Sequence, residues 1–142
     1  MGTWGTGPFD NDAAAEWRDA LGDVTAAQRV ELIRRALAGA AEQDSAKYLD
    51  HDIADEAVAA ATVVALLLSE QPLAGCPTAP ELLGDEELTV LPRDLSRLAL
   101  QALDRVDGDN SELRSLWGND YEQVLEERRP IRATLERAAA TS

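Results

Sequence analysis

The chain has 142 residues, of which 27 are acidic and 13 are arginine or lysine, and its formal net charge is −14. Such a length predicts one domain, residues 1–142, built around one hydrophobic core. The charge repels phosphate groups and anionic lipids, which disfavours nucleic-acid and membrane partners and favours a basic protein partner. A single cysteine, Cys76, excludes an internal disulfide, and no secretory signal pattern opens the chain, so we expect a cytoplasmic protein.

The first segment, residues 1–12, reads MGTWGTGPFDND and combines glycines with two large aromatic residues, without a helical or strand period. We expect an ordered loop in which Trp4 and Phe9 are buried structural anchors. A first helix is predicted to start at Asn11 or Asp12 and to stop at Gly22. Its apolar face carries a third predicted anchor, Trp17.

The second helix follows a capping box, in which Thr25 is paired with Gln28 three residues later. Apolar residues then recur at helical spacing, and the helix is predicted to run to about Ala41. A polar connection over residues 42–52 separates it from the third helix.

The third helix is predicted to be the centre of the core. Its residues 57–68 are apolar at every position except Thr62. A helix that is apolar all round is buried all round. At about 1.5 Å per residue this stretch spans only about 18 Å, too little to cross the roughly 30 Å hydrocarbon core of a bilayer. Pro72 is expected to end the helix.

Residues 71–91 form the longest predicted loop, because prolines and glycines interrupt any regular period. A fourth helix is predicted to begin at Pro92 and to end at Gly108. Asn110 or Ser111 then caps a short helix.

The last predicted helix opens with a second capping box, Asp120 with Gln123, and contains Pro130. Its apolar residues keep one helical phase across this proline, so we expect a kink and not a complete break. No segment alternates in the manner of a strand. The predicted fold is all-α: an irregular helical bundle around the central apolar helix, with an ordered Gly/aromatic N-terminal loop.

Three stretches of this sequence together resemble a known family. They are the opening MGTWGTGPFDND with Ala14 and Trp17, the alanine-rich third helix, and the later ALDRVDGDNSELRSLW. They resemble the bacterial family called domain of unknown function 4259 over nearly the whole chain, and the likeness fades after Trp117. Glu16 stands where an aspartate is more usual. The resemblance implies no activity, cofactor or catalytic residue.

Catalytic side chains are scarce, because the chain has one histidine, one cysteine and no Gly-x-Ser-x-Gly elbow. His51 lies between Asp50 and Asp52 at a predicted helix start, which is typical of a surface histidine beside solvated carboxylates. Cys76 lies in a predicted loop, and nothing in the sequence pairs it with His51 as a nucleophile. The Gly5-Thr6-Gly7 turn lacks the lysine of a phosphate-binding loop. We predict no catalytic residue, no metal site and no cofactor.

Acidic residues cluster near two predicted helix starts. The first cluster is Asp10, Asp12 and Glu16, and the second is Asp55 and Glu56. Helix capping and the helix dipole explain such residues without any function. They also form a candidate patch that receives arginine or lysine from a partner. The leading hypothesis is therefore a non-enzymatic acidic binding module for a basic protein, of which a toxin-neutralising immunity protein would be one case.

Other hypotheses use the same charge. A metal-dependent hydrolase would need the two carboxylate clusters to meet in space, because a hard cation takes several oxygen ligands at once. A mimic of DNA would need acidic residues in regular surface rows. The surplus charge is also explained by solubility alone.

Overall fold

The structure is a computed structural model, and it describes residues 12–43, 48–68, 94–108, 111–112, 118 and 121–141. Across these ranges the fold is all-α, as predicted, and contains no strand. Its five helices pack on one another. They are α1 (Asp12–Gly22), α2 (Ala26–Ala41), α3 (His51–Leu68), α4 (Asp94–Val106) and α5 (Tyr121–Thr141).

Several predicted features lie outside the described residues. They are the N-terminal loop with Trp4, Phe9 and Asp10, the long loop over 71–91 with Cys76, the start of the fourth helix at Pro92, most of the short helix after Ser111, and the capping box of Asp120. Asp12 begins α1, but its side chain is also outside the described part.

The junction between α1 and α2 combines two capping devices. Gln28 N–H donates to Thr25 Oγ1 at 3.3 Å, and Thr25 N–H donates to Gln28 Oε1 at 3.1 Å, so the predicted capping box is confirmed. Arg29 is buried, and its Nε donates to Leu21 O at 2.9 Å. The last carbonyls of a helix have no partner within it, so this guanidinium caps α1 and ties it to α2.

The third helix has the central position that its sequence predicts. Residues 57–66 are buried without exception, and α3 contacts each of the other four described helices. Thr62 is accommodated because its hydroxyl donates to Val58 O at 2.7 Å. Within the described ranges, no helix has the length and hydropathy needed to cross a membrane.

The last helix is continuous through Pro130, which confirms that the proline does not break it. Val124, on one side of the proline, and Ile131 and Leu135, on the other, are all buried. The helix as a whole packs against α3 and α4. Thr134 Oγ1 donates to Pro130 O at 2.9 Å.

A short connection brings residues 111–112 beside the start of α3. Leu49 and Ser111 form an isolated parallel bridge, and Glu112 N–H donates to Leu49 O at 2.9 Å. Leu49 is fully buried, so this connection is anchored in the core. As a result Glu112 lies next to the first turn of α3.

Candidate functional site

Carboxylates from two helices share one surface where α1 packs on α3. Glu16 is exposed on α1, Glu56 is partly buried on α3, and Asp52 is exposed one helical turn before Glu56. Burial raises the pKa of Glu56, and the negative charges of Asp52 and Glu16 raise this pKa further. Glu56 is therefore repelled by both of the other carboxylates. We call Glu16, Asp52 and Glu56 the acidic surface.

The structure divides the predicted patch. Glu16 and Glu56 come together, although they belong to different predicted clusters. Asp55 is only 5% exposed at its side chain and faces His51, so it does not join the acidic surface. Asp10 lies outside the described residues, as does the side chain of Asp12.

Sequence reasoning did not assign Asp52 to this patch. The sequence feature that assigns Asp52 to it is spacing. Asp52 and Glu56 are four residues apart and therefore lie on one face of a helix. Asp55 and Glu56 are adjacent in the sequence, but neighbouring side chains on a helix point in different directions. A spacing of one helical turn therefore indicates which carboxylates share a surface better than adjacency in the sequence does.

His51 is surrounded by carboxylates at the start of α3. Its Nδ1 lies 3.3 Å from Asp52 Oδ1 and 3.4 Å from Asp55 Oδ2, while Nε2 lies 3.6 Å from Glu112 Oε1. Burial lowers the pKa of His51, but the bond to Asp55 and the charges of the three carboxylates outweigh it, so this pKa is raised above 6.5. The ring is 42% exposed, so His51 is a surface histidine, but one of its carboxylate partners is buried.

The buried partner, Asp55, has an unusual affinity for its proton. Burial raises the pKa of Asp55 from its ordinary 3.8 to about 6, although His51 and the positive charge of Arg128 on α5 lower it. Perturbed carboxyl groups are frequent in functional sites and also in structural ion pairs. Here the neighbours are the charged groups of the fold itself, which favours the structural explanation.

The side chains of Asp50, His51 and Asp52 are close enough to invite a metal-site interpretation, with one candidate ligand atom of each lying within 4.8 Å of the others. These atoms already have roles in the structure. Asp50 Oδ1 accepts from Asp52 N–H at 2.8 Å, as a residue before a helix does when it caps the first turn. His51 Nδ1 faces the carboxylates of Asp52 and Asp55. We assign this group to helix capping and ion pairing.

A second charged region joins α4 to α5, and we call Asp104, Asp107, Tyr121, Arg128 and Arg132 the charged network. Asp107 accepts from the Tyr121 hydroxyl, from Arg128 Nη1 at 2.9 Å and from Arg132 Nη2 at 2.8 Å. Arg132 Nη1 also donates to Asp104 at 2.7 Å. Burial is the main reason that the pKa of Tyr121 is raised to about 12.

The charged network borders an open cleft of about 420 Å³ between α4 and α5. Three carboxylates and three arginines line it, so its charges are balanced. This region was not predicted from the sequence. The sequence feature that indicates it is spacing: Asp104 and Asp107, and likewise Arg128 and Arg132, are about one helical turn apart.

Comparison with known proteins places the chain in a family. The family described as a domain of unknown function, DUF4259, matches residues 2–129. This chain belongs to that family. No curated protein and no solved structure matches it. Family membership agrees with the resemblance carried by the opening motif and the alanine-rich helix.

The metal-dependent hydrolase stays a prediction for this DUF4259 chain. Glu16 and Glu56 do share a surface, as that hypothesis requires. Asp55, however, is directed to His51, so the second predicted carboxylate cluster is divided between two surroundings. The arrangement of the described residues does not favour this chemistry over binding.

Proposed function

We propose that this DUF4259 domain is a non-enzymatic binding module that docks a basic protein partner at the acidic surface formed by Glu16, Asp52 and Glu56. The observation that carries the proposal is the meeting of carboxylates from α1 and α3 on one surface. Within the described ranges, neither Glu16 nor Glu56 has an arginine or lysine at ion-pair distance. A cation from a partner would offset this uncompensated repulsion.

The distribution of arginines supports the same proposal. Arg34 pairs with Asp94 across α2 and α4. Within the charged network, Arg128 pairs with Asp107, and Arg132 pairs with Asp104 and Asp107. Among the described residues, many carboxylates are thus neutralised internally, but those of Glu16 and Glu56 are not. Partly buried Glu56 is suited to hold a guanidinium, because the electrostatic attraction of such a pair is less screened than at a fully exposed site.

The proposed partner is a basic protein of the same cytoplasm, and a cationic toxin neutralised by an immunity protein is one example. Long-range attraction from a chain of net charge −14 would accelerate the encounter with such a partner. The acidic surface would then set the orientation of the complex, since close charge pairs fix register.

The test is affinity capture from a lysate of the native host at low salt, with elution at high salt and identification by mass spectrometry. The isolated partner is then titrated against the wild type and against the Glu16→Gln/Glu56→Gln double variant. We expect roughly tenfold weaker binding by the double variant, because two ion pairs of up to about 1 kcal/mol each are lost. Binding should also weaken steeply with added salt.

The matched control is the Glu122→Gln/Glu136→Gln double variant. It removes the same two charges from exposed positions on α5, so it reports the effect of net charge alone. Equal weakening by both double variants would contradict a defined docking surface. A complex that is indifferent to salt would contradict the electrostatic proposal as a whole.

A further inference from the structure

The imidazole of His51 faces carboxylates at both of its ring nitrogens. Asp52 and Asp55 lie at Nδ1, at 3.3 and 3.4 Å, and Glu112 lies at Nε2, at 3.6 Å. Ionised carboxylates only accept hydrogen bonds, and a neutral imidazole has a single N–H donor. Only the protonated ring can therefore satisfy both sides. A neutral ring must turn the lone pair of one nitrogen towards a carboxylate.

These carboxylates belong to two separate parts of the chain. Asp52 and Asp55 are on the first turns of α3, whereas Glu112 belongs to the connection that follows α4. That connection is also held by Glu112 N–H, which donates to Leu49 O at 2.9 Å, and by His51 N–H, which donates to Glu112 Oε1 at 3.3 Å. The charged ring thus adds a cation between two segments that are distant in sequence.

We propose that His51 is a pH-operated clasp, whose protonated ring holds Glu112 against the start of α3 and whose deprotonation releases this carboxylate. Nδ1 has two carboxylates, one of them almost fully buried, and Nε2 has a single, longer contact. The neutral ring therefore keeps its proton on Nδ1. The contact with Glu112 is the one that is lost.

The charged groups around the ring set the pH at which the clasp opens. They are Asp50 before α3, Asp52 and Asp55 of α3, Glu112 of the connection, and Arg128 of α5, which acts on Asp55. Burial lowers the pKa of His51, but the carboxylates outweigh it and raise this pKa above 6.5. The stabilisation is fully present below pH 6.5 and is lost as the pH rises through the folded pKa. Near pH 6 Asp55 takes up a proton, and Asp52 and Glu112 continue to hold the ring.

The test uses the free chain, in which His51 is the only histidine, so that its ring resonances titrate without overlap in an NMR experiment. We expect its pKa to lie above 6.5. The second measurement is amide hydrogen exchange at Glu112. It is expressed as a protection factor, which is corrected for the intrinsic effect of pH on exchange. Protection should fall by about twofold to fivefold as the ring loses its proton, because a partly exposed ion pair contributes up to about 1 kcal/mol.

Three variants complete the experiment. Glu112→Gln should lower the pKa of His51, whereas the control Glu122→Gln, an equal change of charge on α5, should leave it unchanged. In His51→Gln the protection of the Glu112 amide should no longer depend on pH between about 6 and 8. A wild-type pKa at or below 6.5, or an equal fall in protection in His51→Gln, would overturn the clasp.

Discussion

The acidic surface and the charged network use the same residue types for opposite purposes. In the network, Asp107 accepts from a tyrosine and two arginines that come from α5. On the acidic surface, Glu16 and Glu56 come from two packed helices without an arginine or lysine between them among the described residues. A carboxylate surrounded by donors stabilises the fold, whereas one surrounded by other carboxylates costs stability and is available to a partner.

The largest effect should come from Asp107→Asn in the charged network. The change removes the negative charge that faces Arg128 and Arg132, and the side chain of Arg128 is only 9% exposed. Breaking a buried ion pair from one side leaves an uncompensated charge and costs about 3 kcal/mol. Urea denaturation should show this loss in the free energy of unfolding. Asp19→Asn, at an exposed position on α1, is the control and should change that free energy by less than about 0.5 kcal/mol.

Asp55 is affected by the charges of Asp52 in the acidic surface and of Arg128 in the charged network. Its substitution should change how stability depends on pH. Its pKa is higher in the folded chain, about 6, than its ordinary 3.8, so the native state binds the proton more tightly. Wild-type stability should therefore fall as the pH rises from about 4 to 6. Asp55→Asn resembles the protonated form and lacks this loss, so its free energy of unfolding should rise relative to the wild type by about 2 kcal/mol between pH 4 and 7.

Denaturation at a series of pH values measures this difference. The gain is reduced to the extent that Asp55→Asn also lowers the pKa of His51. Parallel stability curves for the wild type and Asp55→Asn between pH 4 and 7 would mean that the buried carboxylate does not titrate in this range.

Tyr121→Phe measures the contribution of a single donor in the charged network, because it removes the hydroxyl that donates to Asp107 and leaves both arginines. We expect a loss of about 1 kcal/mol in the free energy of unfolding, the usual effect of one hydrogen bond. The chain offers a matched control in Tyr48→Phe, at a side chain that is 52% exposed. Equal effects of the two substitutions would show that the hydroxyl of Tyr121 makes no special contribution.

The smallest expected effect is a gain, and not a loss, in the free energy of unfolding. Glu56→Gln removes a carboxylate that is repelled by Asp52 and Glu16, and the chain should become more stable at pH 7 by about 0.3 kcal/mol. Glu136→Gln on α5 is the control for net charge. If Glu56→Gln destabilised the chain more than Glu136→Gln, the acidic surface would be part of the fold's own stabilisation.

Much of the fold could be predicted because its signals are local. The capping box at Thr25 and Gln28 involves residues three positions apart, and the run over 57–68, apolar except at Thr62, predicts a buried helix. The continuity of α5 through Pro130 followed from the phase of its apolar residues. The charged network was not predicted, because its arginines and carboxylates come from helices whose mutual position the sequence does not state.

The helical class, the central helix and the resemblance to DUF4259 can be read from the sequence, since periodicity and motif are properties of neighbouring residues. Which carboxylates meet depends instead on how the helices pack. Asp55 and Glu56 are neighbours in the chain, yet one is buried against His51 and the other lies beside Glu16. Successive residues of a helix point about 100° apart, and only the packing of α1, α5 and residues 111–112 around α3 determines what each side chain faces.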